Sequence, residues 1–85
     1  MSPNKEDLKN KIIYRASYRG TKEMDILLSK FVNKYIQDLN DKDLIDLYNF
    51  LKLEDEILYK FYQTGNIETD FKSEKILSLF RNFKF

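Results

Sequence analysis

One stripe of large apolar side chains sets the main constraint on how this chain can fold. It lies in residues 24–36, where apolar residues recur at i, i+3 and i+4: Met24, Leu27, Leu28, Phe31, Val32, Tyr35 and Ile36. This spacing places them on one face of an α-helix, whereas the strict alternation over five or more residues that is typical of a strand is absent. Because helical spacing recurs along the chain, we predict an all-α fold.

Capping residues and glycines divide the chain into five predicted helices. They run from near Pro3 or Asn4 to about Tyr18, from Gly20-Thr21 to about Leu39, from Asp43 to Leu53, from Glu56 to Gln63, and from Thr69-Asp70 through Phe71 and Phe80. The predicted caps are Ser2, Asn40-Asp41, Asp55 and Thr69-Asp70, with Gly20 ending helix one and Gly65 as a left-handed C-terminal residue of helix four. Since the connections are short, we expect residues 1–85 to form a single domain, a compact five-helix bundle.

The composition excludes most enzymatic mechanisms. The 85 residues include no His and no Cys, so the chain has no Ser-His or Cys-His nucleophile pair, no usual zinc site and no disulfide. Its seven Phe and six Tyr stand at helical spacing, which favours a small core over a cofactor pocket. We therefore expect no catalytic residue, no metal and no cofactor of its own.

Three further kinds of site fail on spacing. An EF-hand loop begun at Asp38 would place Lys42 at its fifth position and Asp43 where Gly is required. Glu23 and Asp25 are two residues apart and diverge on a helix, so they form no carboxylate dyad. The two glycines lie far apart and no phosphate-binding glycine loop exists.

Charge is unevenly distributed along the chain. The first 35 residues carry eight Lys or Arg against four Asp or Glu, while residues 36–70 carry three against nine. The basic first third (Lys5, Lys9, Lys11, Arg15, Arg19 and Lys22, with Tyr14 and Tyr18 between them) leaves a small nucleic-acid or regulatory binding module as the alternative function. Acidic residues interrupt this basic set, so we expect no nucleic-acid partner.

No targeting or membrane segment is visible in the sequence. The longest uninterrupted apolar stretches are three residues, as in Ile26-Leu27-Leu28, far below the roughly 18 that cross a bilayer. The first residues include Lys5, Glu6 and Asp7 without an apolar core, unlike a signal peptide. We expect a bacterial cytoplasmic protein that does not insert into membranes and is a monomer.

The segment Tyr14-Arg15-Ala16-Ser17-Tyr18-Arg19-Gly20-Thr21-Lys22-Glu23-Met24-Asp25 supports two interpretations. In one, Gly20 permits a sharp turn between helices, and Arg19 and Glu23, four residues apart, flank it to form a flat, polar docking surface. In the other, Gly20 is a helix stop and Arg19 and Glu23 form an exposed ion pair of about 0 to 1 kcal/mol.

At this segment the chain resembles the family of SdhE-like succinate dehydrogenase flavinylation factors. The hallmark of that family, Arg-Gly-x-x-Glu at the first helix-helix turn, corresponds to residues 19–23. The flanking residues 13–15 and 24–28 and the later segment 55–61 followed by Gly65 extend the resemblance over nearly the whole chain. Two positions differ from the common pattern: Tyr18, where a basic residue is frequent, and Phe61, where Trp is frequent.

The resemblance implies a non-enzymatic assembly factor. It would bind the flavoprotein subunit of succinate dehydrogenase, and by extension of fumarate reductase, and promote covalent FAD attachment to that partner. Arg19, Gly20 and Glu23 would then contact the flavoprotein near its flavin. Arg15 and Asp25 would either orient the motif or touch the partner.

Overall fold

The computed structural model describes residues 5–67 and 71–84, and it confirms the all-α prediction. The helices are α1 (Lys5–Ser17), α2 (Lys22–Tyr35), α3 (Asp41–Phe50), α4 (Asp55–Thr64) and α5 (Glu74–Arg81). Within the described ranges, no residue lies in a strand. None of these five helices has the length and apolar character needed to cross a membrane.

Polar caps begin most of the helices. Thr21 accepts the Met24 N–H at the start of α2, Asn40 accepts the Asp43 N–H at the start of α3, and Ser73 accepts the Ile76 N–H at the start of α5. Such bonds satisfy backbone donors that have no partner inside the helix. The predicted caps Ser2 and Thr69-Asp70, and the predicted first residues Pro3 and Asn4, lie outside the described residues.

Four predicted helix boundaries were wrong. Helix two ends at Tyr35 rather than near Leu39, because residues 36–38 tighten into a turn in which the Asp38 N–H bonds to the Tyr35 carbonyl. Helix three begins at Asp41 and ends at Phe50 rather than Leu53. Helix five begins at Glu74, so Phe71 precedes it instead of lying within it.

The predicted cap Asp55 was also wrong. Glu54 occupies the cap position of α4 and makes no side-chain capping bond, while Asp55 is the first residue of the helix. Its carboxylate accepts bonds from the α1–α2 connection instead, as described below.

Aromatic rings from several elements meet in the core. Phe31 of α2 is 1% exposed, and its ring lies 5.0 Å from that of Phe80 and 5.6 Å from that of Phe83. Phe50 packs on Phe80 at 5.2 Å. The largest aromatic side chains therefore mostly build the core, as the sequence predicts; Tyr14, Tyr18 and Tyr59 are exposed.

The helices pack in pairs around this core. α1 packs against α2 and α3, and α5 packs against α3 and α4. Polar bonds reinforce the packing: Lys75 of α5 donates to Asp43 of α3 at 2.6 Å, and the Tyr62 hydroxyl donates to the Phe83 carbonyl at 2.7 Å. The arrangement leaves the α1–α2 and α3–α4 connections side by side.

The backbone at Gly65 gives a test of this architecture. Gly65 ends α4 with φ 78°, in the left-handed region, as predicted. We expect Gly65→Ala to lower the free energy of unfolding by about 1 kcal/mol, because an L side chain is strained there. Gly65→Asn should lose less despite its larger side chain, because Asn tolerates this conformation. Urea unfolding would measure both, and a larger loss for Asn would contradict a backbone origin.

Candidate partner-binding site

The guanidinium of Arg19 joins the α1–α2 connection to the α3–α4 connection. Its Nε donates to Asp55 Oδ1 at 2.7 Å, and its two terminal nitrogens donate to the Leu51 carbonyl at 2.7 Å and the Leu53 carbonyl at 2.8 Å. The Arg19 side chain is only 8% exposed. One planar group with several fixed donors thus satisfies three acceptors from a turn more than thirty residues away.

The positions of these three acceptors explain why their bonds to the Arg19 guanidinium are favourable. Leu51 and Leu53 follow the C-terminus of α3, where backbone carbonyls lack partners and the helix dipole favours a cation. Asp55 lies in the first turn of α4, where the dipole favours an anion. α3 itself ends locally, where the N–H groups of Lys52 and Leu53 bond to carbonyls three residues back instead of four. Arg19 then satisfies the carbonyls of Leu51 and Leu53 beyond that end.

Gly20 is required by close approach rather than by its backbone conformation. Its N–H donates to Asp55 Oδ2 at 2.8 Å, so the same carboxylate binds two successive residues of the turn. A Cβ on Gly20 would lie 3.0 Å from that oxygen. Gly20 does not adopt the left-handed conformation, which differs from the sequence interpretation of a conformationally demanding turn.

Residues of α2 complete the turn. A carboxylate oxygen of Asp25, in the first turn of α2, accepts the backbone N–H of Arg19. Thr21 caps the same helix. Glu23, between them, is exposed and takes no part in these bonds. Residues 19–25 are thus fixed by bonds on both sides, with the Glu23 carboxylate at the surface.

The structure brings four of the five predicted site residues together but gives them different roles. Arg19 and Asp25 hold the turn from inside, whereas Gly20 and Glu23 are exposed. The expected ion pair between Arg19 and Glu23 is not formed, since Arg19 bonds to Asp55. An exposed guanidinium at a flat docking surface is likewise not observed.

Arg15 lies one helical turn earlier on α1. Its side chain is directed toward α3, where the guanidinium carbon lies 5.3 Å from the centroid of the Tyr48 ring. Its backbone carbonyl is 3.5 Å from a terminal nitrogen of Arg19. Arg15 is exposed, so it extends the site along α1 rather than stabilising the turn through its side chain.

Asp55 is the site residue that sequence reasoning missed. Its position at a helix start made capping the natural interpretation, and no local pattern pairs it with an arginine 36 residues earlier. The available signal was indirect. The sequence has an Arg-Gly pair in one helix connection and an acidic residue at the start of the helix that follows a later connection. These residues suggest an ion pair only once the two connections are known to lie side by side.

The basic residues of the first third do not form one contiguous face. Lys9 is buried and donates to Gln37 at 2.8 Å, Lys5 lies 3.6 Å from Asp41, and Arg19 is bonded to Asp55. A phosphate backbone needs several free cations in a row. This geometry does not favour the nucleic-acid alternative. In the part of the chain that the structure describes, no group of three or more carboxylates could hold a metal ion.

Removing the guanidinium gives the first test of this geometry. We expect Arg19→Ala to lower the free energy of unfolding by about 2 to 3 kcal/mol, because a charged acceptor and two carbonyls lose their donor. Arg19→Lys should recover only part of this, since an ammonium cannot reproduce the fork of donors. Arg15→Ala, the matched control on an exposed arginine, should lose less than about 1 kcal/mol. Equal losses at the two arginines in chemical denaturation would contradict the assignment.

A double-mutant cycle tests the contact between Gly20 and Asp55. Gly20→Ala alone should lose about 1 to 2 kcal/mol, because its Cβ presses on Oδ2 of a carboxylate whose other oxygen is bound by Arg19. In an Asp55→Ala background the same change should become neutral or slightly stabilising, because it then only restricts the unfolded chain. Additive losses in the cycle would show that Gly20 is required for another reason.

Residues 10–84 match the family model described as "Flavinator of succinate dehydrogenase". The chain is 32% identical over 79 residues to the "FAD assembly factor SdhE" of Wigglesworthia glossinidia brevipalpis, spanning 92% of this chain and 94% of that relative. It is 30% identical over 77 residues to the "Succinate dehydrogenase assembly factor 2, mitochondrial" of Saccharomyces cerevisiae, with 86% of this chain and 48% of that protein covered.

A similarly named protein of Meyerozyma guilliermondii is 29% identical over 79 residues. The chain spans 48% and 58% of the length of these two mitochondrial relatives, against 94% of the bacterial one. No solved structure matches the chain. The match to the family model covers almost all of the sequence and includes both connections joined by Arg19. The chain therefore belongs to the family of flavinators of succinate dehydrogenase.

Proposed function

We propose that this protein is an assembly factor that binds the flavoprotein subunit of succinate dehydrogenase and promotes covalent attachment of FAD to it. The observation that carries this proposal is the family match over residues 10–84, together with a relative named as an FAD assembly factor that is matched along nearly its whole length. We extend the proposal to the flavoprotein of fumarate reductase. Its place of action would be the bacterial cytoplasm, and it would act as a monomer.

The chemistry of attachment would belong to the partner. The chain has no His and no Cys, so it offers neither a histidine as covalent acceptor nor an imidazole or thiol as base. The acceptor side chain and the flavin would both be supplied by the flavoprotein. The assembly factor, without a cofactor or metal of its own, would stabilise a conformation of the partner in which acceptor and flavin ring are aligned.

The turn between α1 and α2 is the proposed contact surface, and its residues would have different roles. Gly20 and Glu23 would touch the partner, because both are exposed. Arg19 and Asp25 would act as positioning residues, because both are engaged in holding the turn. Arg15 would contact the partner beside the turn. A surface fixed in advance loses less conformational freedom on binding than a mobile one.

Glu23 allows the binding role to be separated from the folding role. We expect Glu23→Gln to leave the free energy of unfolding unchanged within about 0.5 kcal/mol, because its carboxylate makes no internal bond. The same variant should reduce covalent flavin on the flavoprotein by about fivefold or more, since a charged contact is lost. The measurement is in-gel flavin fluorescence after denaturing electrophoresis of the co-expressed flavoprotein.

The matched control is Glu74→Gln, an exposed glutamate in the first turn of α5. It should support flavinylation like the wild type. Gly20→Arg and Arg19→Ala should also reduce flavinylation, the second together with a loss of stability. Equal flavin attachment with every variant and without the factor would overturn the proposed function.

A further inference from the structure

A groove lined by tyrosines lies beside the turn, between α1 and α3. We call it the tyrosine groove; its lining residues are Asn10, Lys11, Tyr14, Arg15, Tyr18 and Tyr48, and its volume is about 590 Å³. Tyr14 is 66% exposed and Tyr18 is 71% exposed. Their rings lie 4.6 Å apart, so the two form one continuous aromatic surface.

This surface has the composition of a protein contact rather than of an ordinary solvated helix face. The other large aromatic residues of α2, α3 and α5 are mostly buried in the core, whereas Tyr14 and Tyr18 pack on each other and remain open to solvent. Tyrosine and arginine are the residue types most enriched among the side chains that dominate binding at interfaces. The groove also adjoins the proposed contact surface, because Tyr18 directly precedes Arg19.

The charged side chains that line the tyrosine groove are basic. Lys11 and Arg15 line it, and Lys52 places its Nζ 4.9 Å from the centroid of the Tyr48 ring. Among the described residues, no carboxylate lines the tyrosine groove. On the other side of the turn, a second groove has the opposite character, with a lining of Thr21, Glu23, Met24, Asp55, Glu56 and Tyr59. The turn therefore separates a basic aromatic surface from an acidic one.

We propose that the tyrosine groove binds an acidic segment of the flavoprotein subunit, an inference that rests on the proposed function. Carboxylates of that segment would pair with Lys11 and Arg15, and the tyrosine hydroxyls would donate hydrogen bonds to it. An apolar side chain of the segment would pack on the rings of Tyr14 and Tyr18. The complementary charge would orient the partner so that the neighbouring α1–α2 turn contacts it in a single orientation.

A nucleic-acid strand fits this groove less well. Aromatic and basic side chains together are also found in single-strand binding sites. Here Glu6 and Asp7 lie in the first turn of α1, and Lys9 is directed to Gln37 instead of to the surface. A phosphate backbone running along α1 would meet these carboxylates, whereas a short acidic peptide segment would not extend that far.

The test uses purified full-length chain and purified flavoprotein subunit without covalent flavin. Dissociation constants are measured at low and at physiological salt for the wild type, Lys11→Glu and Tyr18→Ala. The controls are Lys72→Glu, an exposed lysine outside the groove, and Ile45→Ala, an exposed apolar residue of α3. Thermal unfolding confirms that each variant is folded.

We expect Lys11→Glu and Tyr18→Ala each to weaken binding by about tenfold. Lys11→Glu should also reduce the salt dependence, because it removes a steering charge. Both controls should bind like the wild type. Variants that bind and support flavinylation like the wild type would overturn the groove assignment while leaving the proposed function in place.

Two other results would also overturn the inference. If the wild type neither binds the flavoprotein nor raises its covalent flavin, the proposed function fails and the groove assignment fails with it. If the wild type binds a single-stranded oligonucleotide, and Lys11→Glu abolishes that binding without affecting the flavoprotein, the groove serves nucleic acid instead.

Discussion

The ion pair between Arg19 and Asp55 is the interaction on which the geometry of the candidate site depends. The Arg19 guanidinium neutralises the carboxylate at the start of α4 and donates to two carbonyls that follow α3. These bonds hold the α1–α2 turn against the α3–α4 connection. Exposed ion pairs contribute little to stability, but this one is largely withdrawn from water and belongs to a network of bonds. Its effect is to convert a glycine-containing connection into a fixed surface.

The same network explains why neighbouring residues of one short motif have separate roles. Arg19 and Gly20 are required by the fold, the first as a donor to the α3–α4 connection and the second because a carboxylate oxygen lies against it. Glu23 has no such structural requirement. A variant at Arg19 therefore changes the stability of the fold, whereas a variant at Glu23 changes only an exposed side chain.

Periodicity and caps predicted much of the fold, because they are local. The α2 stripe, the start of α2 near Thr21, the cap at Asn40 and the left-handed Gly65 follow from residues within a few positions of one another. The misplaced ends of α2 and α3 come from local turns, whereas the role of Asp55 depends on a distant residue. Arg19 binds the carbonyls that follow α3, and Asp55 binds the same arginine from the first position of α4 instead of capping that helix. Neither contact leaves a local sequence pattern.

The separation of Arg19 and Asp55 along the chain has a consequence for when the site can exist. During synthesis, the motif leaves the ribosome before Asp55 does, and until Asp55 emerges it cannot bind Arg19. Domains tend to acquire structure as their N-terminal parts emerge, but here the N-terminal turn depends on a later helix. An unfinished chain would therefore expose the motif residues before the turn is held in its final geometry.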